Sequence, residues 1–272
     1  MFVLRIPVTL SAIELIKADL TKHLSEVKSS HRVEAIGRGL GFRTYAALLA
    51  ASRSPVPPKA LVCGAVFSDY LKQHGFEATP AHLYLSAAHS AILGVLGSAP
   101  RLHIHGLGFG QPQRNADGSR QTPQQQYAEF IERREECHDR HAAAAFLRSL
   151  ALLTRVEATK TVRSGTGSYR LKHVAENYVC EYPEGEKLGP DYVPNGMLIA
   201  AALHMGFNYK AHIDHLGYDT QNLTFNMSKA VIDDLDAEIR PKTGFAQGRA
   251  QKRQLADARK QFEATRQTLS RY

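Results

Sequence analysis

Asp233, Asp234, Asp236 and Glu238 stand close together in the segment SKAVIDDLDAEI. Asp233 and Asp236 are three residues apart, so a helix puts them on one face, where they could hold Mg²⁺ for phosphoryl transfer. The same segment spaces Ile232, Leu235 and Ile239 as an apolar stripe, which predicts that the carboxylates form the solvent face of that helix. In RSGTGSYRLKH, residues 163 to 173, a glycine-rich turn feeds a helix start. Backbone N–H groups and the helix dipole there suit phosphate, with Arg163, Arg170 and Lys172 adding charge. Neither a Walker A spacing nor the GxGxxG of a dinucleotide fold is present. The alternative is structural: Gly165 closes one helix and Ser168 caps the next.

Thirteen histidines raise the question of a metal. Cys137 and His141 would share a helix face, His212 and His215 are three apart, and His103 and His105 would share a strand face. None of these pairs completes a recognised ligand signature, so no metal and no cofactor is expected. Three scattered cysteines make no disulfide framework, and no catalytic triad can be assembled from local spacing. The chain reads as a non-enzymatic protein.

Charge is the most concentrated signal. Residues 241–272 hold eight of the 34 Lys and Arg but only two of the 26 Asp and Glu, leaving 26 cations against 24 anions in residues 1–240. Such an arm attracts polyanions, and Lys252, Arg253, Arg259, Lys260 and Arg266 are the expected phosphate contacts. Leu255, Phe262 and Leu269 recur every seven residues, a stripe too narrow for a core helix. It would dock on the body or on a second copy of the chain.

The elements that must position these groups are mostly helical. Residues 2–8 read as a strand, followed by a helix capped by Ser11 and running to about Val27, then helices near 31–39 and 44–51. The turn at 40–42 makes the last two resemble a helix-turn-helix. The second of them offers Tyr, Ala and Leu, not the Arg, Asn or Gln that read base edges, and is expected to be a packing module. Residues 60–98 look helical and LHIHGLGFG extended. QPQRNADGSRQTPQQQ reads as linker. Thr122, Pro123 and Gln125 form a capping box for a helix continuing to about Lys160, with a break near His141 to Ala145. Shorter helices are expected at 168–178, 195–205 and 228–238, with Asn195 and Ser228 as caps.

The expected class is mainly α, with helical domains, a short N-terminal strand and a basic C-terminal helix. The domains are 1–110 and 123–240, joined by a linker at 111–122 and followed by the arm at 241–272. No apolar run reaches the ~18 residues that span a bilayer, and the opening MFVLRIPVTL lacks a signal-peptide pattern. A cytoplasmic protein with no membrane partner is expected.

The stretch from SGTGSYRLKH through NGMLIAAALHMGF to FNMSKAVIDDLDAEI, about residues 163–240, resembles poorly characterised proteins encoded on phages, plasmids and integrative elements. That resemblance implies an accessory protein that handles DNA or disables a host defence complex, as anti-CRISPR proteins do. It supplies no catalytic residues. The resulting expectation is a protein that binds nucleic acid or a nucleoprotein complex through its basic arm, with a homodimer as a further possibility. A metal-dependent nuclease and a protein-only adaptor are the alternatives.

Overall fold

A computed structural model describes residues 2–269, without the side chains of 244, 245 and 269. About 55% of the chain is helical and its strands are short, so the class is mainly α. The element order opens with β1 (Arg5–Pro7), α1 (Leu10–His23), α2 (Ser29–Gly39), α3 (Tyr45–Ser52), β2 (Lys59–Leu61) and α4 (Gly64–Gln73). It continues with α5 (Pro80–Ser98), β3 (Leu102–His103), β4 (Gly106–Leu107), α6 (Pro123–Glu135) and α7 (Arg140–Leu153). The chain then forms α8 (Ser168–Glu176), α9 (Asn195–His204), β5 (Tyr209–Ile213), β6 (Asp219–Phe225), α10 (Lys229–Ile239) and α11 (Gly244–Leu269).

At the centre is α5. Its sequence PAHLYLSAAHSAILGVLGS is apolar on nearly every side, and such a helix has no solvent face to present. It packs on α1, α4, α7 and α9. The α9 residues Met197 to Ala202 are buried without a break, and their small side chains let α9 lie close against α7. One continuous buried cluster includes Ile13, Phe67, Ile92, Phe146, Ile199 and Phe225. Segments on both sides of the expected 111–122 linker therefore contribute to the same core.

Three antiparallel strand pairs close the helical layers: β1 with β2, β3 with β4, and β5 with β6. The last pair was not expected from the sequence, although Asp214 and Gly217 are turn residues between two alternating runs. Asp214 Oδ1 accepts from the N–H groups of Leu216 and Tyr218. Gly106, at φ +147°, lets β4 approach β6 so closely that a Cβ there would lie 2.0 Å from the Gln221 carbonyl oxygen.

Several boundaries differ from expectation for local reasons. The first helix is capped by Thr9, whose hydroxyl accepts from Ala12 N–H at 3.1 Å, and Ser11 lies inside it. The 60–98 stretch is two helices, because Lys59–Leu61 pairs with β1 and Gly75 adopts φ +79° after α4. The Thr122 capping box forms as expected. The long helix breaks at residues 136–139, where a 3-10 turn precedes extended Asp139, and it resumes only to Leu153. Asn195 is not a cap: Pro194 holds that position, and the Asn195 amide donates to the carbonyls of His105 and Gln221. Ser228 occupies the N-cap of α10 without a capping hydrogen bond.

Candidate nucleic-acid interface

The carboxylates of α10 divide: Asp234 and Glu238 are exposed as expected, whereas Asp233 and Asp236 are not on a solvent face. Asp236 is 1% exposed, and its Oδ2 accepts from Arg170 Nε at 2.7 Å while Oδ1 accepts from Arg240 Nε at 2.7 Å. Asp233 accepts from Arg170 at 2.7 Å and from Lys229 at 2.7 Å. Burial by itself would raise the Asp233 pKa, but the Lys229 and Arg170 bonds outweigh it and hold the carboxyl below its usual range. Arg249 Nη2 donates to Asp234 at 2.7 Å, and Arg253 donates to the same carboxylate. These carboxylates are thus engaged by protein cations, and among the described residues no group of three or more His, Cys, Asp or Glu could hold a metal ion.

This network also corrects the reading of RSGTGSYRLKH. Arg170 is committed to α10. Lys172 is only 7% exposed; it donates to Glu176 at 2.8 Å and lies 4.8 Å from the centre of the Tyr192 ring. The turn itself is stitched to β6, since Thr166 Oγ1 accepts from Phe225 N–H and Ser168 Oγ accepts from Leu223 N–H. Ser168 is therefore not the cap; Gly167 holds that position. Of the three expected phosphate contacts here, Arg163 alone has an exposed side chain.

The helix pair at 29–39 and 45–52 exists, with Gly41 at φ +83° in its turn. Glu34 accepts from Tyr45 N–H at 3.1 Å, tying the start of α3 back to α2. Leu48 is fully buried, so α3 is a packing element.

The arm has a different character. α11 runs 26 residues, about 39 Å at 1.5 Å per residue, and its described side chains from Ala250 onward are exposed. It packs on α10 near its start, where Ala246 is buried and Arg249 and Arg253 grip Asp234. Lys252, Leu255, Arg259, Phe262 and Arg266 are spaced alternately by three and four, which gathers them into an arc of about 80° on a 3.6-residue helix. The same geometry turns that arc about 130° from the side occupied by Ala246, Arg249 and Arg253. Leu255 is 61% exposed and Phe262 69%, so the stripe does not dock on the chain's own body. Leu269, its expected third member, and Arg271 lie outside the described side chains and residues. Among the described residues, Lys252, Arg259, Lys260 and Arg266 form no ion pair with the body. Arg253, by contrast, belongs to the clamp.

Of the paired cysteine and histidine candidates, Cys137 and His103 are buried and structural, whereas His105, His141 and His215 are exposed. Burial pushes the Cys137 thiol up to about 12, which leaves it un-ionised and inert. His103 is fully buried; its Nδ1 accepts from His105 N–H at 3.1 Å, which leaves Nε2–H to donate to the Gly108 carbonyl at 2.9 Å. Burial foremost pushes its pKa down to about 4. An unfolded histidine titrates near 6.5, so the unfolded chain binds the extra proton first as pH falls. Stability is fully present above about pH 6.5 and lost as the pH drops through about 4. Urea unfolding at pH 7.5 and at pH 4.5 should differ by at least ~2 kcal/mol, and His103→Gln should narrow that difference. It will not abolish it, because burial also lowers the pKa of His82, His89 and His204. An unchanged difference in the His103 variant would remove that residue from the account.

No family model, curated protein or solved structure matches the chain.

Proposed function

We propose that this protein is a non-enzymatic binding protein whose α11 arm contacts nucleic acid, free or within a nucleoprotein complex. The observation that supports it is the exposed arc of Lys252, Arg259 and Arg266 interleaved with Leu255 and Phe262, turned away from the clamp on α10. Three cations within one arc repel the same arc of a second copy, so the charge pattern favours an anionic partner over a homodimer along this stripe. The clamp fixes the start of the helix and leaves the rest projecting, which suits a surface that follows a phosphate backbone. The resemblance to mobile-element proteins narrows the partner further, to a host defence complex carrying nucleic acid. The nuclease alternative is weakened because Asp233 and Asp236 already accept from Arg170, Lys229 and Arg240.

The test is binding to single- and double-stranded DNA and RNA across a salt series. The full chain is compared with a variant in which Lys252, Arg259, Lys260 and Arg266 are all glutamine. That variant keeps Arg249 and Arg253, so the clamp stays intact. On duplex DNA the slope of log affinity against log salt should become shallower by about 3 to 4, with weaker binding near physiological salt. Equal slopes and affinities for the two proteins, or no binding by either, would sink this reading. Capture of a protein partner after complete nuclease digestion would point instead to a protein-only adaptor.

A further inference from the structure

We infer that a cleft lined by no residue of α11 binds a small carboxylate with an apolar body, a site independent of nucleic-acid binding. The strand alternation creates it: Leu4, Ile6 and Val8 point into the core, which leaves Val3, Arg5 and Pro7 on the outer face of β1. Lys59 pairs with Pro7 in register, so Arg5 and Lys59 stand on the same side of the strand pair. Across from them run the small residues of α5 and the C-terminal end of α9, and the open cleft between them measures about 530 Å³. That size falls within the range of ordinary small-molecule sites.

Its lining divides by chemistry. Arg5, Lys59, Ser90 and His204 supply the polar part, whereas Val3, Leu150 and Met205 supply apolar wall. Neither Arg5 nor Lys59 forms an ion pair among the described residues, so two cations face the cleft without an acid to neutralise them. Ser90 adds a hydroxyl to the same wall. It is only 7% exposed, yet its hydroxyl makes no hydrogen bond among the described residues. Other helical serines of this protein satisfy theirs on the preceding turn: Ser86 donates to the His82 carbonyl at 2.9 Å and Ser149 to the Ala145 carbonyl at 2.8 Å. The Ser90 hydroxyl is therefore free to donate to a ligand oxygen in the cleft. Two unpaired cations select an anion, and the apolar wall selects a body that inorganic phosphate lacks.

The probe is octanoate, with octanol and inorganic phosphate as controls, read by carbon-13 methyl shifts of methionine in the full chain. Met205 lines the cleft, while Met197 and Met227 are fully buried and report whether the fold is intact. Octanoate should move the Met205 signal saturably with a Kd of about 1 mM or tighter, and octanol at least tenfold more weakly. An Arg5→Gln, Lys59→Gln double variant should reduce octanoate to the level of octanol. Gly94 lines the same cleft and faces open space, so Gly94→Leu should fill it and abolish both responses, with Met197 and Met227 unmoved. The inference is overturned if octanoate and octanol bind alike, if phosphate competes as well as octanoate binds, if octanoate leaves Met205 unmoved, or if Gly94→Leu still binds.

Discussion

Asp236→Ala should cost about 3 kcal/mol of stability, a fall of roughly 6–12 °C in Tm for a chain of this size. Removing one partner of a buried ion pair leaves the other charge in a poor environment, and Asp236 serves two guanidinium groups, Arg170 and Arg240. Both are about one-fifth exposed, so each can recover part of its hydration, which places the cost at the lower end for buried pairs. Asp234→Ala is the matched comparison. That carboxylate is mostly exposed, and its loss should change global stability by less than about 1 kcal/mol. It nevertheless releases Arg249 and Arg253 together, so hydrogen exchange along the first turns of α11 should accelerate while the core is unaffected. If Asp236→Ala melts with the wild type, the buried network does not support the fold as described. If Asp234→Ala leaves exchange in α11 unchanged, the arm is held by something other than that carboxylate.

Gly196→Ala should be as damaging, at about 3 kcal/mol or more, for a purely steric reason. A Cβ at this position would lie 1.9 Å from the His103 carbonyl oxygen and 2.6 Å from that of Ile104. Both obstacles are backbone, so no rotamer change relieves them. The shift needed also breaks the 2.8 Å hydrogen bond from Gly196 N–H to the Ile104 carbonyl, and it separates β3 from the start of α9. Gly97→Ala in α5 provides the control, because a Cβ there meets nothing within 4 Å. Alanine in that helical position should be stabilising by about 0.5–1 kcal/mol. Chemical denaturation of both variants checks the contrast, and a Gly196→Ala protein within 1 kcal/mol of wild type would contradict the close approach.

The fold was legible where the controlling interaction is local. The Thr122 capping box involves residues three apart, and the sequence places its helix start correctly. Helices α8, α9 and α10 likewise follow from apolar spacing within ten or so residues. Errors arose where a distant partner intervenes. Lys59–Leu61 is a strand because β1 pairs with it, and Asn195 is drawn from capping to bond β6 and the loop after β3. Part of the clamp was readable in principle: Lys229 with Asp233, and Asp236 with Arg240, are i,i+4 pairs of opposite sign.

Composition and short-range pattern alone determined that the chain is mainly helical and that residues 241–272 carry a net excess of six positive charges, because folding changes neither residue spacing nor charge count. Which of those charges remain available was decided by tertiary structure. Arg170 meets Asp233 across 63 positions of sequence, and Arg253 meets Asp234 across 19. No local period encodes such pairings, since they depend on how α8, α10 and α11 pack. The Leu255 and Phe262 stripe is similar: its spacing was visible in the sequence, but only the direction in which the clamp holds α11 turns it outward.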